Sequence, residues 1–137
     1  MFLLNLVTPE KKLATDLEIE EVVVPGERGH LTILPGHSPL ITTLNVGTVK
    51  YRLKGKSEFI SAVVSWGYCE VNPNGVSVLA ETAESIEEID KERALDAVKK
   101  AQKMLTEPNM DADQIAKYQR KLKRALARIE TVSKSTH

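Results

Sequence analysis

The sequence holds one cysteine, one tryptophan and two phenylalanines among 137 residues, and its formal charge is zero. Each scarcity excludes something. A single cysteine, Cys69, cannot close an internal disulfide, and its place in an alternating run marks it as a small buried apolar side chain. No apolar run approaches the roughly 20 residues of a membrane-spanning helix, and Met1 to Thr8 lacks the basic start of a signal peptide, so a soluble, cytosolic protein is expected. There is no glycine-rich phosphate loop of the P-loop type and no nucleophile motif. The three histidines, His30, His37 and His137, lack the spacing of metal ligands. Neither catalytic nor metal-binding residues are expected.

The zero net charge hides an asymmetry. Residues 1–85 carry 7 Lys and Arg against 10 Asp and Glu, whereas residues 86–137 carry 12 against 9. From Lys117 onward, 7 basic residues face only Glu130. A cationic end this local suits an acidic partner surface or a phosphate ligand.

The first part reads as strands. Phe2 to Val7 is a buried strand ended by Thr8-Pro9, and Leu13 to Val24 supplies one or two more, with Glu18, Glu20 and Glu21 toward water. Pro25-Gly26 turns the chain into a loop carrying Glu27, Arg28 and His30. Pro35-Gly36-His37-Ser38-Pro39 forbids helix, because each proline lacks an N–H and pushes the preceding residue out of the helical region. The bend leads into a half-buried strand, Leu40 to Val46, where Ile41 and Leu44 break alternation and allow a bulge. Val49 to Leu53 and Phe59 to Val64 form a meander about Gly55-Lys56. Ser65 to Val71 is a further strand, and Asn72-Pro73-Asn74-Gly75 turns it into Val76 to Ala80. Strands this regularly spaced indicate a sandwich or barrel.

After Ala80 the period becomes helical. Ser85-Ile86-Glu87-Glu88 has the form of a capping box, predicting a helix from near Ile86 that ends at Pro108-Asn109. A second helix is predicted from about Asp111, with Ile115, Tyr118, Leu122, Ala125, Ile129 and Val132 along one face. The expected architecture is α+β: an N-terminal antiparallel β-sandwich over residues 1–84, then a C-terminal antiparallel two-helix hairpin over residues 85–137. Both helical seams are narrow and partly alanine, so the hairpin buries little and is suited to detach.

Leu-Pro-Gly-His-Ser-Pro-Leu at residues 34–40, with Val-Pro-Gly-Glu-Arg-Gly ahead of it, resembles the ε subunit of bacterial F-type ATP synthase, and the likeness extends over essentially the whole chain. One departure stands at Trp66-Gly67, where that family usually has two glycines. The resemblance implies a non-catalytic central-stalk subunit at the cytoplasmic face of the bacterial inner membrane, peripheral to it. It would couple the catalytic sector to the proton channel and inhibit ATP hydrolysis through its C-terminal helices. Implied partners are the gamma subunit, the membrane rotor ring of c subunits and the alpha/beta catalytic ring, with no nucleic acid. Glu27, His30 and His37 become candidate rotor-docking residues.

Ile89-Asp90-Lys91-Glu92-Arg93-Ala94 matches the Ile-Asp-x-x-Arg-Ala motif by which some bacterial ε subunits bind ATP. The resemblance makes Asp90, Arg93, Arg124 and Arg128 candidate nucleotide-binding residues, with Glu84 nearby. No cofactor is required, and ATP enters as a regulatory ligand. The residues alone leave other readings open. Asp90 and Arg93 could form an ordinary i to i+3 ion pair, and the ladder Lys117, Arg120, Lys121, Lys123, Arg124, Arg128 a solvated face. Two rival functions stay in play: a free-standing ATP-sensing protein and a basic helical-hairpin binder of nucleic acid, the latter with Tyr118 as the one aromatic near the ladder.

Overall fold

The computed structural model describes residues 1–135; His137 lies outside them. Seven strands come first: β1 (Leu3–Val7), β2 (Lys12–Gly26), β3 (Gly29–Ile33), β4 (Leu40–Leu44), β5 (Gly47–Leu53), β6 (Phe59–Asn72) and β7 (Gly75–Ser85). Two helices follow, α1 (Lys91–Leu105) and α2 (Ala112–Ser135).

The two longest strands make the sandwich. β2 runs unbroken for 15 residues and β6 for 14, where the sequence pattern suggested shorter pieces. β6 pairs with β5 through its first half, with β4 through its second and with β7 along its length. β2 serves β1, β5 and β3 in turn. The circuit β1, β2, β5, β6, β7 closes because β1 also pairs with β7, so the sheet wraps around one core. That last pairing is parallel, the one departure from an all-antiparallel sandwich among the described strands. It arises because the first and last strands of the domain enter the sheet in the same direction.

Alternation supplies most of the core. Leu4 and Leu6 of β1, Val22 and Val24 of β2, Val49 of β5, Ala62, Val64, Cys69 and Val71 of β6 and Val76, Val78, Ala80 and Ala83 of β7 are all buried. On β6 the step from Val64 to Cys69 and on β7 the step from Ala80 to Ala83 are odd, so both strands change their inward face near Trp66. Burial pushes the Cys69 thiol up to about 12, so it is an inert apolar filler. The bend after β3 is a turn in which His37 N–H donates to Leu34 O at 3.0 Å, with Pro35 second and Gly36 third at φ +89°, the pattern of a type II turn. β4 pairs with β6 without a register shift, so the bulge allowed by the sequence is absent. Leu40, Thr42 and Leu44 therefore share one face of the strand, which leaves Ile41 outward and 72% exposed.

The helical region starts later than the sequence predicts. Ser85 Oγ donates to the Glu88 carboxylate at 3.1 Å instead of accepting an orphan N–H, and Lys11 Nζ holds the same carboxylate at 2.6 Å. Only a single 3-10 turn forms over Ile86–Glu88, and Ile89 is extended. Asp90 then caps α1, its Oδ1 accepting from Arg93 N–H at 3.1 Å. A true capping box stands instead at α2. Gln114 N–H donates to Asp111 Oδ1 at 2.8 Å and Asp111 N–H donates to Gln114 Oε1 at 3.2 Å, satisfying two backbone donors reciprocally.

Candidate functional site

The hairpin closes on small residues. Ala94, Ala101 and Ala125 are buried between α1 and α2, and Thr131 is the other buried side chain described in α2. It is α2 that seats the pair on the sandwich, against β5, β6 and the 3-10 turn. The seat is polar. Residues 120, 124, 128 and 131 recur at three- or four-residue spacing and so face the sheet along one stripe.

Each position of that stripe has a partner. Arg120 Nη2 reaches Glu81 Oε2 at 2.8 Å, and its guanidinium lies 4.0 Å from the centre of the Trp66 ring. The Arg124 guanidinium is 5.7 Å from the same ring. Arg128 reaches Glu84 Oε1 with Nε at 2.6 Å and Nη2 at 2.5 Å. Thr131 donates to Ala127 O at 2.7 Å, so Thr48 donates the 2.6 Å hydrogen bond that joins it to Thr131.

Between the helices, on the other side of Arg124, lies a cavity of about 250 Å³ lined by Ala97, Lys100, Ala101, Tyr118, Lys121, Arg124 and Arg128. Four of its seven lining residues are cations. Arg124 is the one most affected: its Nε is buried without a hydrogen-bond partner. Burial first, and then the charge of Arg128, push its guanidinium below the ordinary value, with Glu81 and Glu84 opposing. An arginine stays charged under such a shift, so the cavity presents a partly desolvated positive charge that an anion would stabilise.

The candidate residues divide accordingly. Arg124 and Arg128 are brought together at the cavity, while Asp90 is engaged as the cap of α1 and Arg93 lies exposed outside the cavity lining. Glu84 is held against Arg128. Lys100 and Lys121 were not singled out for this site from the sequence; the signal was present, since positions 121, 124 and 128 share a helical face.

The docking candidates also divide. Glu27 sits at the tip of the β2–β3 hairpin, its Oε2 accepting from Thr43 Oγ1 at 2.5 Å, and His30 pairs with Pro25 beside it. β3 then runs away from that tip, Ile33 pairing with Val22, before the bend that holds His37. β4 returns so that Leu44 meets Gly26. His37 thus lies at the far end of β3, more than about 10 Å along the strand from His30, with Nδ1 2.8 Å from Ser38 O.

Among the described residues no group of three His, Cys, Asp or Glu side chains could hold a metal ion. No described helix is long and apolar enough to cross a membrane.

A closed sandwich followed by a two-helix hairpin that rests on it through a polar stripe of α2 defines a two-part α+β chain. Residues 1–86 match the family model "ATP synthase, Delta/Epsilon chain, beta-sandwich domain", and residues 87–133 match "ATP synthase, Delta/Epsilon chain, long alpha-helix domain". The chain belongs to the ATP synthase epsilon chain family. It is 44% identical over 127 residues to the ATP synthase epsilon chain of Bdellovibrio bacteriovorus, covering 93% of this chain and 91% of the relative. It is 42% identical over 126 residues to that of Bacillus licheniformis, covering 92% and 93%. In structure it is similar to a chain of the mitochondrial ATP synthase of Euglena gracilis, with TM-score 0.83 and 20% identity over 99% of this chain and 81% of the other. That likeness establishes the fold.

Proposed function

We propose that this chain is a non-catalytic subunit of the ATP synthase central stalk, whose sandwich docks on the rotor and whose hairpin restrains ATP hydrolysis by bracing against the alpha/beta catalytic ring. Family membership favours this over a free-standing ATP sensor or a nucleic acid binder. The observation that carries it is the contrast between the two halves. The sandwich has a closed sheet and a continuous apolar core, whereas the hairpin is seated through one polar stripe on α2. Such a seat can open without disturbing the sandwich, and a regulator that must leave and return needs that difference in stability.

Two surfaces supply the docking. Tyr68 of β6 is paired with Leu79 of β7 and Thr43 of β4, and Ile41 lies on the same outer face. With Val7 and Pro9, Tyr68 and Leu79 border a shallow apolar groove of about 370 Å³, suited to the gamma subunit by its apolar character. The Glu27 and His30 tip offers polar groups on a rigid turn, suited to the polar loops of the c ring, and His37 belongs to a separate contact. The chain then works peripherally, at the cytoplasmic face of the bacterial inner membrane.

ATP fits as a regulatory ligand at the basic cavity. Its phosphates would neutralise Arg124, Arg128, Lys100 and Lys121 only while α1 and α2 lie together, so ATP would favour the compact hairpin by its differential affinity for that state. The test of the whole reading is the hydrolysis rate of enzyme rebuilt with three forms of the subunit. Truncation after Glu88, and replacement of Arg120, Lys121, Arg124 and Arg128 by glutamate, should each raise ATP hydrolysis above that with the full-length chain. Three equal rates would refute an inhibitory hairpin.

A further inference from the structure

Trp66 is the one tryptophan of the chain, and it stands on the outer face of β6 directly beneath α2. Ser65 pairs with Thr82 and Gly67 with Ala80, so Trp66 and Glu81 of β7 occupy the step between these pairs, and Arg120 reaches both from α2. Arg120 is held twice, by Glu81 at 2.8 Å and by the indole face at 4.0 Å. Arg124, one turn on, approaches the same ring at 5.7 Å. The ring is half-buried, and the groove containing Val7, Tyr68 and Leu79 borders its other side.

We propose that the Trp66 ring, under Arg120 at 4.0 Å and within reach of Arg124 at 5.7 Å, is a latch that keeps the hairpin in its compact position. The inference rests on the reading that the hairpin moves, and it identifies a contact that resists the movement at the Arg120 end of the seam. The ion pair that Arg120 also makes is weaker for a physical reason, and the Arg128–Glu84 pair holds α2 separately, two turns further on. Arg120 and Glu81 retain 47% and 55% of their side-chain exposure, and ion pairs so exposed contribute little. An arginine plane over an indole combines attraction to the ring quadrupole with apolar contact, and it is weakly hydrated to begin with. Among the described residues, Trp66 is also the one large ring on the sandwich with arginines of α2 over its face. The latch joins two devices: Arg124 lies over the Trp66 ring at 5.7 Å and also lines the basic cavity. Neutralising the cavity with phosphate would reduce the repulsion between Arg124 and Arg128 and tighten the latch.

The decisive experiment is hydrogen exchange on the free full-length chain, with strands β1 and β7 as internal reference. Trp66→Leu keeps an apolar side chain but removes the ring face, and should speed exchange of the α2 amides about tenfold while the strands keep their protection. Trp66→Phe, with a smaller ring, should fall between. Arg120→Lys retains the charge beside Glu81 and loses the planar stack, and should also speed exchange in α2. If Trp66→Leu disturbs the sandwich, Arg120→Lys decides the matter, since the strands do not depend on it. Exchange in α2 within twofold of the parent for Arg120→Lys, or for a folded Trp66→Leu, overturns the latch. The same variants in rebuilt enzyme should lower ATP hydrolysis by freeing the hairpin to inhibit. Faster exchange with unchanged hydrolysis would leave the latch standing and remove the inhibitory reading of the hairpin.

Discussion

The pair between Glu84 of β7 and Arg128 of α2 should be the strongest ionic attachment of the hairpin, and a double-mutant cycle can measure it. Arg128 directs two nitrogens at one oxygen of Glu84, at 2.6 and 2.5 Å, and the side chains are only 27% and 24% exposed. Hydrogen bonds between charged groups at partial burial contribute about 1.5 kcal/mol, above the roughly 0.2–1 kcal/mol of an exposed pair. One tenfold step in an equilibrium corresponds to about 1.4 kcal/mol, so losing the pair should raise opening of α2 about tenfold. The two single variants should differ. Glu84→Ala leaves Arg128 facing the like charge of Arg124 without compensation, whereas Arg128→Ala removes that repulsion along with the pair, so Glu84→Ala should open the hairpin more. Hydrogen exchange of the α2 amides in the parent, both single variants and the double variant yields the coupling. Salt sharpens the comparison. Between about 0.1 and 1 M the screening length falls from about 10 to about 3 Å, which should abolish the more exposed Arg120–Glu81 coupling and leave most of Arg128–Glu84. A coupling below about 0.3 kcal/mol for Arg128–Glu84, or equal salt sensitivity of the two pairs, would refute the reasoning.

Gly67→Ala should be severely destabilising, because a Cβ there would stand 1.9 Å from Leu79 O and 2.8 Å from Ala80 Cα. The strands β6 and β7 would have to part, and a loss of at least about 3 kcal/mol is expected, lowering the melting temperature by roughly 10 °C or more; thermal circular dichroism showing a loss under about 1 kcal/mol would contradict it. The Glu88 carboxyl is held below its ordinary value of 4.5 mainly by hydrogen bonds from Lys11 and Ser85. With the folded value depressed, its contribution is complete above the unfolded value and disappears as pH falls through the folded one, and Lys11→Met should move the midpoint seen by carbon NMR upward, an unmoved midpoint counting against the assignment. Calorimetric titration of the full-length chain with ATP should give binding that Arg124→Ala weakens about tenfold or more, while Arg93→Ala, outside the cavity lining, changes it little; equal loss for both would return Arg93 to the site.

Legibility in the sequence tracked how local the deciding interaction was. Pro35, Gly36 and Pro39 fix a bend through their own backbone restrictions, and the alternation around Val22, Val49 and Val78 marks the buried face of each strand. Alanine spacing and the break at Pro108 define a narrow two-helix hairpin. All of these are properties of neighbouring residues, and the sequence by itself determined them, along with the family resemblance. The tertiary structure decided whatever depended on partners far along the chain. Ser85 does not cap a helix because Glu88, its expected reciprocal partner, is held by Lys11 from 77 residues away. Asp90 caps α1 through Oδ1, and neither it nor Arg93 is among the residues lining the cavity at Arg124 and Arg128, a placement that the motif alone does not reveal. His30 and His37 are near in sequence and placed at opposite ends of β3, because an extended strand separates what a helix or turn would gather. Trp66 could be read only as a bulky ring in an unusual place until α2 crossed above it. Which side chains an arginine meets is set by the docking of one half of the molecule on the other, and no periodicity within either half encodes that encounter.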